Sequence, residues 1–372
     1  MPKFLLIMLR YCTYILLTCL LFTSCAGDDN YSPTDDDPVN QISPVVFDLA
    51  NVPYQTLSEY NFFEGNMSDL NPVYGVLPYD MISPLFSDYA SKKRFLWMPD
   101  GVSANYVSDH NLIDFPVGTV LIKNFYYDTV LPSNTKQIIE TRLQIKKETG
   151  WIFANYIWNE DQTEATFSLS GGELPIDFVL NGEPRSVEYR IPAASQCLTC
   201  HKQDNETPFP IGVKPSSLNK VYDYADGSSN QLDKWVDMGY LNSANIPNNI
   251  ETVVDWTDTS QSLELRARSY LDINCAHCHS DNRHCDYRPV RFAFAESSDI
   301  TNLGVCVDAD DVFDPALTKI VMPGNSERSI LAFRINSVDQ SLRMPLLART
   351  LKHNEGVELI EAWINSLTID CE

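Results

Sequence analysis

The sequence predicts a multidomain chain in which a β-rich N-terminal domain, an antiparallel sandwich or barrel, is followed by a mainly α-helical region. Residues 45–192 consist of short apolar or alternating runs separated by turn residues, which is typical of antiparallel strands. Residues 260–271 and 354–364 instead carry apolar side chains at helical spacing. A chain of 372 residues with 44% hydrophobic side chains can form more than one compact domain.

The clearest strand predictions lie in the middle of the β-rich domain. Residues 120–127 form an apolar run, and residues 137–145 alternate between apolar and polar side chains, as in a half-buried strand. Turn-forming residues separate the runs, for example at 148–150 and 181–183. We find no catalytic constellation here. The aromatic residues would suit a glycan or a partner protein, although packing in a core also explains them.

The first 25 residues resemble the signal peptide of a bacterial lipoprotein. Lys3 and Arg10 accompany a long apolar stretch, and the small residues Thr23 and Ser24 stand directly before Cys25. In such lipoproteins this cysteine is acylated and becomes the new N-terminus. The sequence therefore predicts an exported protein of the bacterial cell envelope, anchored to a membrane at the periplasmic face or at the cell surface.

Alternatives remain open at this end of the chain. Phe22 occupies a place where leucine is usual, and a retained membrane helix is the rival interpretation, although the polar interruption at residues 11–14 weakens it. Residues 26–44 lack apolar periodicity and are rich in Asp and Pro, so we expect a flexible acidic linker. The formal charge of -23 argues against nucleic acid as a partner and suits either a basic partner protein or simple solubility.

Two short motifs carry the chemistry. Residues 197–201 and 275–279 both read Cys-x-x-Cys-His. Two cysteines three positions apart lie on one face of a helical turn, so each can form a thioether with a haem vinyl group, and the next histidine can bind the iron. The predicted ligands of two haem c groups are Cys197, Cys200, His201, Cys275, Cys278 and His279. Residues 193–257 thus become a first haem-binding segment and residues 258–372 a second haem domain.

A zinc site and a redox disulfide are the alternatives for these motifs. Paired Cys-x-x-Cys units that bind zinc are usually closer in sequence than these two. A thioredoxin-like disulfide requires a βαβ context, which neither motif has. We therefore expect haem at both motifs.

The second motif lies in a setting that resembles class I cytochromes c. A predicted helix at 260–271 leads into it, and Met344, which a proline follows, precedes the amphipathic segment 354–364. Helix, haem motif, Met-Pro loop and terminal helix have the same order in class I cytochromes c. The resemblance makes this region cytochrome c-like and assigns Met344 as the sixth iron ligand, with Met322 as the alternative.

The first motif has no obvious sixth ligand nearby in sequence. Met98, His110 and Met238 are the side chains considered for this role. An open sixth position is the alternative. We expect a side chain to close it, because a carrier suppresses side reactions by filling both axial positions.

Three further cysteines, Cys285, Cys306 and Cys371, belong to the mature chain. Two of them are expected to form a disulfide in an oxidising compartment. We predict the pair Cys285 and Cys306, which closes a loop beside the second haem motif. Spacing alone leaves Cys371 as a competing partner.

Several further segments carry a family resemblance. They are residues 57–63, 84–89, 115–120, 158–163 and 230–233. Together with both haem motifs, they resemble an uncharacterised family of dihaem c-type cytochromes that are often encoded beside a predicted parallel β-helix protein. The resemblance extends over nearly the whole mature chain. It implies a β-rich part followed by cytochrome domains and adds the co-encoded β-helix protein as a candidate partner, but it supplies no substrate.

These features predict an electron carrier rather than a catalyst. Two haem groups outside the cytoplasm would exchange electrons with a redox partner protein that the sequence does not identify. A haem enzyme, either dihaem peroxidase-like or the electron-accepting subunit of a dehydrogenase, is the first alternative. A surface module that binds a glycan or a partner through the β-rich domain is the second.

Replacing Cys25 by Ala should abolish acylation and leave the precursor uncleaved, because the lipoprotein peptidase acts directly before an acylated cysteine. Mass spectrometry of the N-terminus, combined with membrane fractionation, measures both effects. Cys12→Ala is the matched control and should be processed normally. A wild-type protein that starts near residue 26 without a lipid would contradict the anchor.

Overall fold

The computed structural model describes residues 41–204 and 207–371. The predicted signal peptide, Cys25 and nearly all of the predicted linker lie outside these residues. A single antiparallel sheet of eight strands dominates the first half of the described chain. Within the described residues, no helix combines the length and the apolar character that crossing a membrane requires.

The sheet is built largely from consecutive hairpins. Its strands are β1 (Leu77–Tyr79), β2 (Ser91–Trp97), β3 (Val120–Val130), β4 (Thr135–Lys147), β5 (Gly150–Trp158), β6 (Ala165–Ser168), β7 (Gly172–Leu180) and β8 (Glu183–Ile191). The spatial order is β8-β7-β3-β4-β5-β6, while β2 pairs with β3 and β1 pairs with β2. The predicted strands at 120–127 and 137–145 lie within β3 and β4, so the β-rich, antiparallel prediction is confirmed. All eight strands belong to one sheet, in place of the two facing sheets of a sandwich.

The remaining elements are short. The helices are α1 (Ala194–Cys200), α2 (Pro215–Leu218), α3 (Gln231–Asp237), α4 (Leu263–Leu271), α5 (Ile330–Asn336) and α6 (Asn354–Ser366), and a π-helical turn, Asp272–Ala276, continues α4. The 3-10 helices are Ser58–Tyr60, Met67–Asp69, Ser243–Asn245 and Ser326–Arg328. Three small hairpins pair Phe63–Glu64 with Asn71–Pro72, Lys202–Gln203 with Thr207–Pro208, and Val221–Tyr224 with Gly227–Asn230.

The turn between β7 and β8 shows how local sequence sets the register. Leu180 pairs with Glu183, so Asn181 and Gly182 alone form the turn. Both turn residues have positive φ, 52° and 85°. Asn and Gly adopt this conformation more readily than other residues, and two-residue hairpin turns require it. The turn predicted at 181–183 is therefore confirmed.

The two faces of the sheet differ in character. Val120 and Ile122 of β3 enter an apolar core on one face. Leu121 packs into a second core on the opposite face. Because side chains alternate along a strand, Lys123 and Phe125 lie on the same face as Leu121. This face supplies a polar surface that forms part of the site described below.

Packing of α6 against α4 stabilises the C-terminal part. Ile360 and Trp363 of α6 are buried in one core with Leu271 of α4. A Cβ atom at Gly356 would overlap the ring of Tyr270. Glycine at this position therefore allows the two helices to approach closely.

The prediction of a mainly α-helical region after the β-rich domain is not confirmed. Between the π-helical turn and Ser326 the chain forms turns and isolated bridges, such as the one between Val305 and Val321. Aspartate is frequent in this stretch and favours turns over helix. Contacts group the residues from Ile42 onward into one compact unit. The predicted boundaries at 192 and 257 stay predictions.

The predicted disulfide between Cys285 and Cys306 is wrong. Cys306 is bonded to Cys371, with their Cα atoms 5.3 Å apart, and Cys285 is a buried free thiol. The Gly324 N–H donates a hydrogen bond to the Ile364 carbonyl oxygen (2.9 Å). This bond holds the end of α6 beside the segment that contains Gly324. The C-terminal tail thereby reaches Cys306, which spacing along the sequence does not reveal.

Replacing Cys371 by Ser should lower the free energy of unfolding by about 2–4 kcal/mol, because the cross-link restricts the unfolded chain. The bonded residues are 65 positions apart. Urea unfolding of the oxidised protein measures the loss. Cys285→Ser is the control and should keep the cross-link in a peptide map made without reduction. A map that joins Cys285 to Cys306 would refute this pairing.

Candidate functional site

The first motif is placed by α1, which follows β8 almost directly. Cys197 and Cys200 lie one turn apart on this helix, and His201 ends it. The Gln196 side chain caps the first turn, because its Oε1 accepts a hydrogen bond from the Ala193 N–H (3.1 Å). Both cysteines of the motif are free thiols.

His201 is held in one tautomer by the backbone. Its Nδ1 lies 2.9 Å from the Phe209 carbonyl oxygen, which can only accept, so Nδ1 carries the proton and Nε2 keeps a lone pair. The ring also contacts the Phe153 ring, with the centroids 4.7 Å apart. Burial lowers the pKa of His201 to about 4, so the imidazole is neutral at neutral pH. This is the form of histidine that binds a metal.

The second motif begins in the π-helical turn that continues α4. Two buried side chains tie this turn to other parts of the chain. Asp272 accepts hydrogen bonds from the Lys214 ammonium group (2.8 Å at each oxygen) and from the Phe294 N–H (3.0 Å). Asn274 accepts one from the Phe86 N–H (2.9 Å). Single π-helical turns are frequent at functional sites, and here buried hydrogen bonds fix the turn in place.

His279, the last residue of the second motif, is also neutral. Its ring contacts the Phe292 ring, with the centroids 5.4 Å apart, and burial lowers its pKa to about 4. Within residues 41–204 and 207–371, its Nδ1 has no hydrogen-bond partner. Cys275 and Cys278 are free thiols. Each motif therefore presents two thiols and one neutral imidazole.

Each motif lines one of two adjoining cavities. The first cavity contains all three predicted residues of the first motif and has an empty volume of about 1850 Å³, open solvent included. The second contains all three of the second motif, with about 1000 Å³. Both volumes include open solvent, so the two sites are clefts open to the surroundings and not enclosed chambers. The residues that line both cavities are Cys200, Asn274, Cys275, His277, Ile335, Met344, Pro345 and Leu347.

The two motifs touch through their second cysteines. Cys200 Sγ, Cys278 Sγ and a ring nitrogen of His277 all lie within 4.8 Å of one another. The Cys278 thiol also points at the Thr199 carbonyl oxygen (3.6 Å). Hydrogen bonding from Cys278 holds the pKa of Cys200 well below its usual value, and His277 acts in the same direction. Motifs that are distant in sequence are thus adjacent in space.

Met344 lines the cavity of the second motif, whereas Met322 lines neither cavity. The Met344 N–H donates to the Arg334 carbonyl oxygen (3.0 Å). The Arg349 side chain donates to the carbonyl oxygens of Met344 (3.0 Å) and Leu351 (3.1 Å). These bonds position the methionine loop at the cavity wall.

None of the side chains considered for the sixth position of the first iron lies in the first cavity. Met98 is fully buried in an apolar core, and Met238 packs against the same core. His110 stacks on Phe294, with ring centroids 5.8 Å apart. The methionines and histidines that line the first cavity with His201 are Met81, His277, Met344 and His353.

Sequence reasoning missed the contribution of the sheet to the first cavity. Arg94, Lys123 and Arg142 line this cavity from β2, β3 and β4. A signal was present, because Lys123 lies between Leu121 and Phe125 at alternating positions of one strand. A cation on the same strand face as large apolar side chains departs from core composition and indicates a site.

Comparison with models of protein families found no match for this chain. Comparisons with curated proteins and with solved structures found no match either. The site is therefore defined by its geometry: two adjoining cavities, each lined by both cysteines and the half-buried, neutral histidine of one motif, with Cys200 and Cys275 lining both.

Proposed function

We propose that the protein is a dihaem c-type cytochrome that transfers electrons outside the cytoplasm, with haem c groups at residues 197–201 and 275–279. The observation that carries the proposal is that both cysteines and the histidine of each motif line one of two adjoining cavities, which share Cys200 and Cys275. The two cysteines of each motif have the spacing of thioether attachment, and the histidine that follows them would bind the iron.

The chemical state of these side chains supports the proposal. Cys306 and Cys371 form a disulfide, whereas none of the motif cysteines takes part in one, which leaves them available for thioether formation. His201 donates through Nδ1 to a carbonyl oxygen and so leaves Nε2 for the iron. The wall of the first cavity combines apolar side chains, which can exclude water, with cations along one side.

Each motif residue has a distinct role in the proposed haem sites. The cysteines of each motif would hold one haem, and His201 and His279 would bind the two irons. Met344 would bind the second iron through its thioether, which would favour Fe(II) and raise the potential. When bound, haem supplies reversible one-electron exchange between Fe(II) and Fe(III).

The surroundings of the second motif support a class I-like cytochrome region. α4 leads into the motif, and Met344 lines the same cavity. α6 follows the methionine loop and packs on α4, where Gly356 meets Tyr270. This order and this packing support the resemblance.

The location and the partners rest on the sequence. We propose an exported lipoprotein of a bacterial cell envelope, anchored through an acyl group on Cys25. A net charge of -23 would favour a redox partner with a basic surface. The co-encoded β-helix protein is one candidate partner, and nucleic acid is not.

A second candidate function is a metal site between the motifs. Cys200, His277 and Cys278 each place one ligand atom within 4.8 Å of the others, and zinc favours such sulfur and nitrogen ligands. Zinc would need the thiolates of Cys200 and Cys278, which thioether attachment would consume. The two functions therefore exclude each other at these residues, and one measurement separates them.

Mass spectrometry of the denatured wild-type chain should find two covalent haem additions, because thioethers survive unfolding, and metal analysis of the native protein should find no stoichiometric zinc. Replacing Cys275 and Cys278 by Ala, or Cys197 and Cys200 by Ala, should leave one haem. Cys285→Ala is the control and should keep two. Fewer than two additions in the wild type would refute the dihaem proposal, and stoichiometric zinc in the native protein would favour the second candidate.

Replacing Met344 by Ala should remove the weak absorption at long wavelength that arises from a thioether bound to ferric haem. The potential of that haem should fall by a sizeable part of the roughly 0.8 V range that axial ligation spans. Spectroelectrochemistry measures both effects. Met322→Ala should change neither, since Met322 lines neither cavity. The reverse pattern would assign the ligand to Met322.

A further inference from the structure

Three cations stand side by side on the sheet face that lines the first cavity. Arg94 of β2 pairs in register with Lys123 of β3, and Lys123 pairs with Arg142 of β4. Asn155 of β5 and Ser168 of β6 continue the same row. All five residues line the cavity that contains His201. We call Arg94, Lys123 and Arg142 the basic ladder.

The basic ladder has an energetic cost. Like charges directly opposite each other on neighbouring strands destabilise a sheet. The chain carries a net charge of -23, so a row of three cations does not follow from its composition. A purely structural row would be expected to alternate in sign, as cross-strand charge pairs usually do.

Counter-charges satisfy only two members of the basic ladder. Arg94 forms an ion pair with Asp80, and Arg142 donates from Nε to Glu140 (3.0 Å). Lys123 has no carboxylate within ion-pairing distance among residues 41–204 and 207–371, and its ammonium group lies 5.0 Å from the centre of the Phe125 ring. The middle cation therefore lacks an anionic partner while it faces the cavity.

The electrostatics of Lys123 agree with this geometry. Burial holds the pKa of Lys123 well below its usual value, the neighbouring cations Arg94, Lys92 and Arg142 act in the same direction, and the Glu140 carboxylate acts against them. An anion beside Lys123 would offset this repulsion. The arrangement thus favours a negatively charged group in the cavity.

We infer that the basic ladder binds a carboxylate or a similar oxyanion inside the first cavity. Guanidinium groups and an ammonium group form strong charge-assisted hydrogen bonds to such groups, and the Asn155 amide and the Ser168 hydroxyl can add neutral ones. The anion has two sources. It is a propionate of the haem at the first motif, in which case the inference rests on the proposed function, or it is a small anion that enters from solution.

Calorimetric titration of the purified full-length holoprotein with inorganic phosphate tests the solution source, and redox-difference infrared spectra of the haem carboxylates test the propionate. The variant is Lys123→Met, which keeps side-chain length and removes the charge. Lys123→Arg restores the charge. The matched control is Lys136→Met, an exposed lysine of β4 that does not line the cavity. Circular dichroism checks that each variant is folded.

If the anion comes from solution, phosphate binding saturates in the wild type and weakens about tenfold or more in Lys123→Met, as expected for a lost charge-assisted bond. If it is a propionate, phosphate does not bind, and Lys123→Met shifts the carboxylate bands while Lys123→Arg and Lys136→Met leave them near their wild-type positions. Absence of both effects overturns the inference.

Failure of the proposed function gives a different result. A wild-type chain without haem would refute that function, whereas the calorimetric titration needs no haem. Phosphate binding that Lys123→Met weakens would still support the basic ladder as an anion site. A haem-free chain that does not bind phosphate would overturn both.

Discussion

The ion pair between Asp272 and Lys214 is the contact on which the arrangement of the site depends. Lys214 belongs to the segment that follows the first motif, and Asp272 opens the turn that carries the second. The carboxylate is only 4% exposed. Loss of one partner of a buried pair leaves an uncompensated charge and typically costs about 3–5 kcal/mol. The two motifs are therefore held against each other by an interaction that tolerates little displacement.

This constraint explains why the parts of the chain form one site. With the motifs in contact, Cys200 and Cys278 come together and the cavities share a wall. The sheet closes the first cavity from the other side, so the β-rich part contributes to the site of the two motifs instead of standing apart from it. Under the proposed function, electrons would pass between two groups attached at neighbouring sulfur atoms, without a docking step.

Local sequence patterns predicted those features of the structure that depend on residues close together in the chain. The apolar run at 120–127 predicted a strand with buried side chains. The order of the segments along the chain was enough to select Met344 as a candidate iron ligand. The disulfide could not be predicted in this way, because the choice between Cys285 and Cys371 depends on where α6 ends in space. The basic ladder was missed for the same reason. Lys123 becomes part of a row of cations only because the register of the two neighbouring strands places an arginine on each side of it.

The distribution of charge also bears on which anion the basic ladder holds. A free anion must approach a chain with a net charge of -23 before it reaches the cations in the cavity. Such a field lowers the local concentration of anions and slows their entry, an effect that salt weakens. A propionate meets no such barrier, since its haem would be attached covalently at the cavity wall. Under the proposed function, the charge pattern, acidic overall with cations turned inward, therefore favours a haem propionate over a free anion as the partner of Lys123.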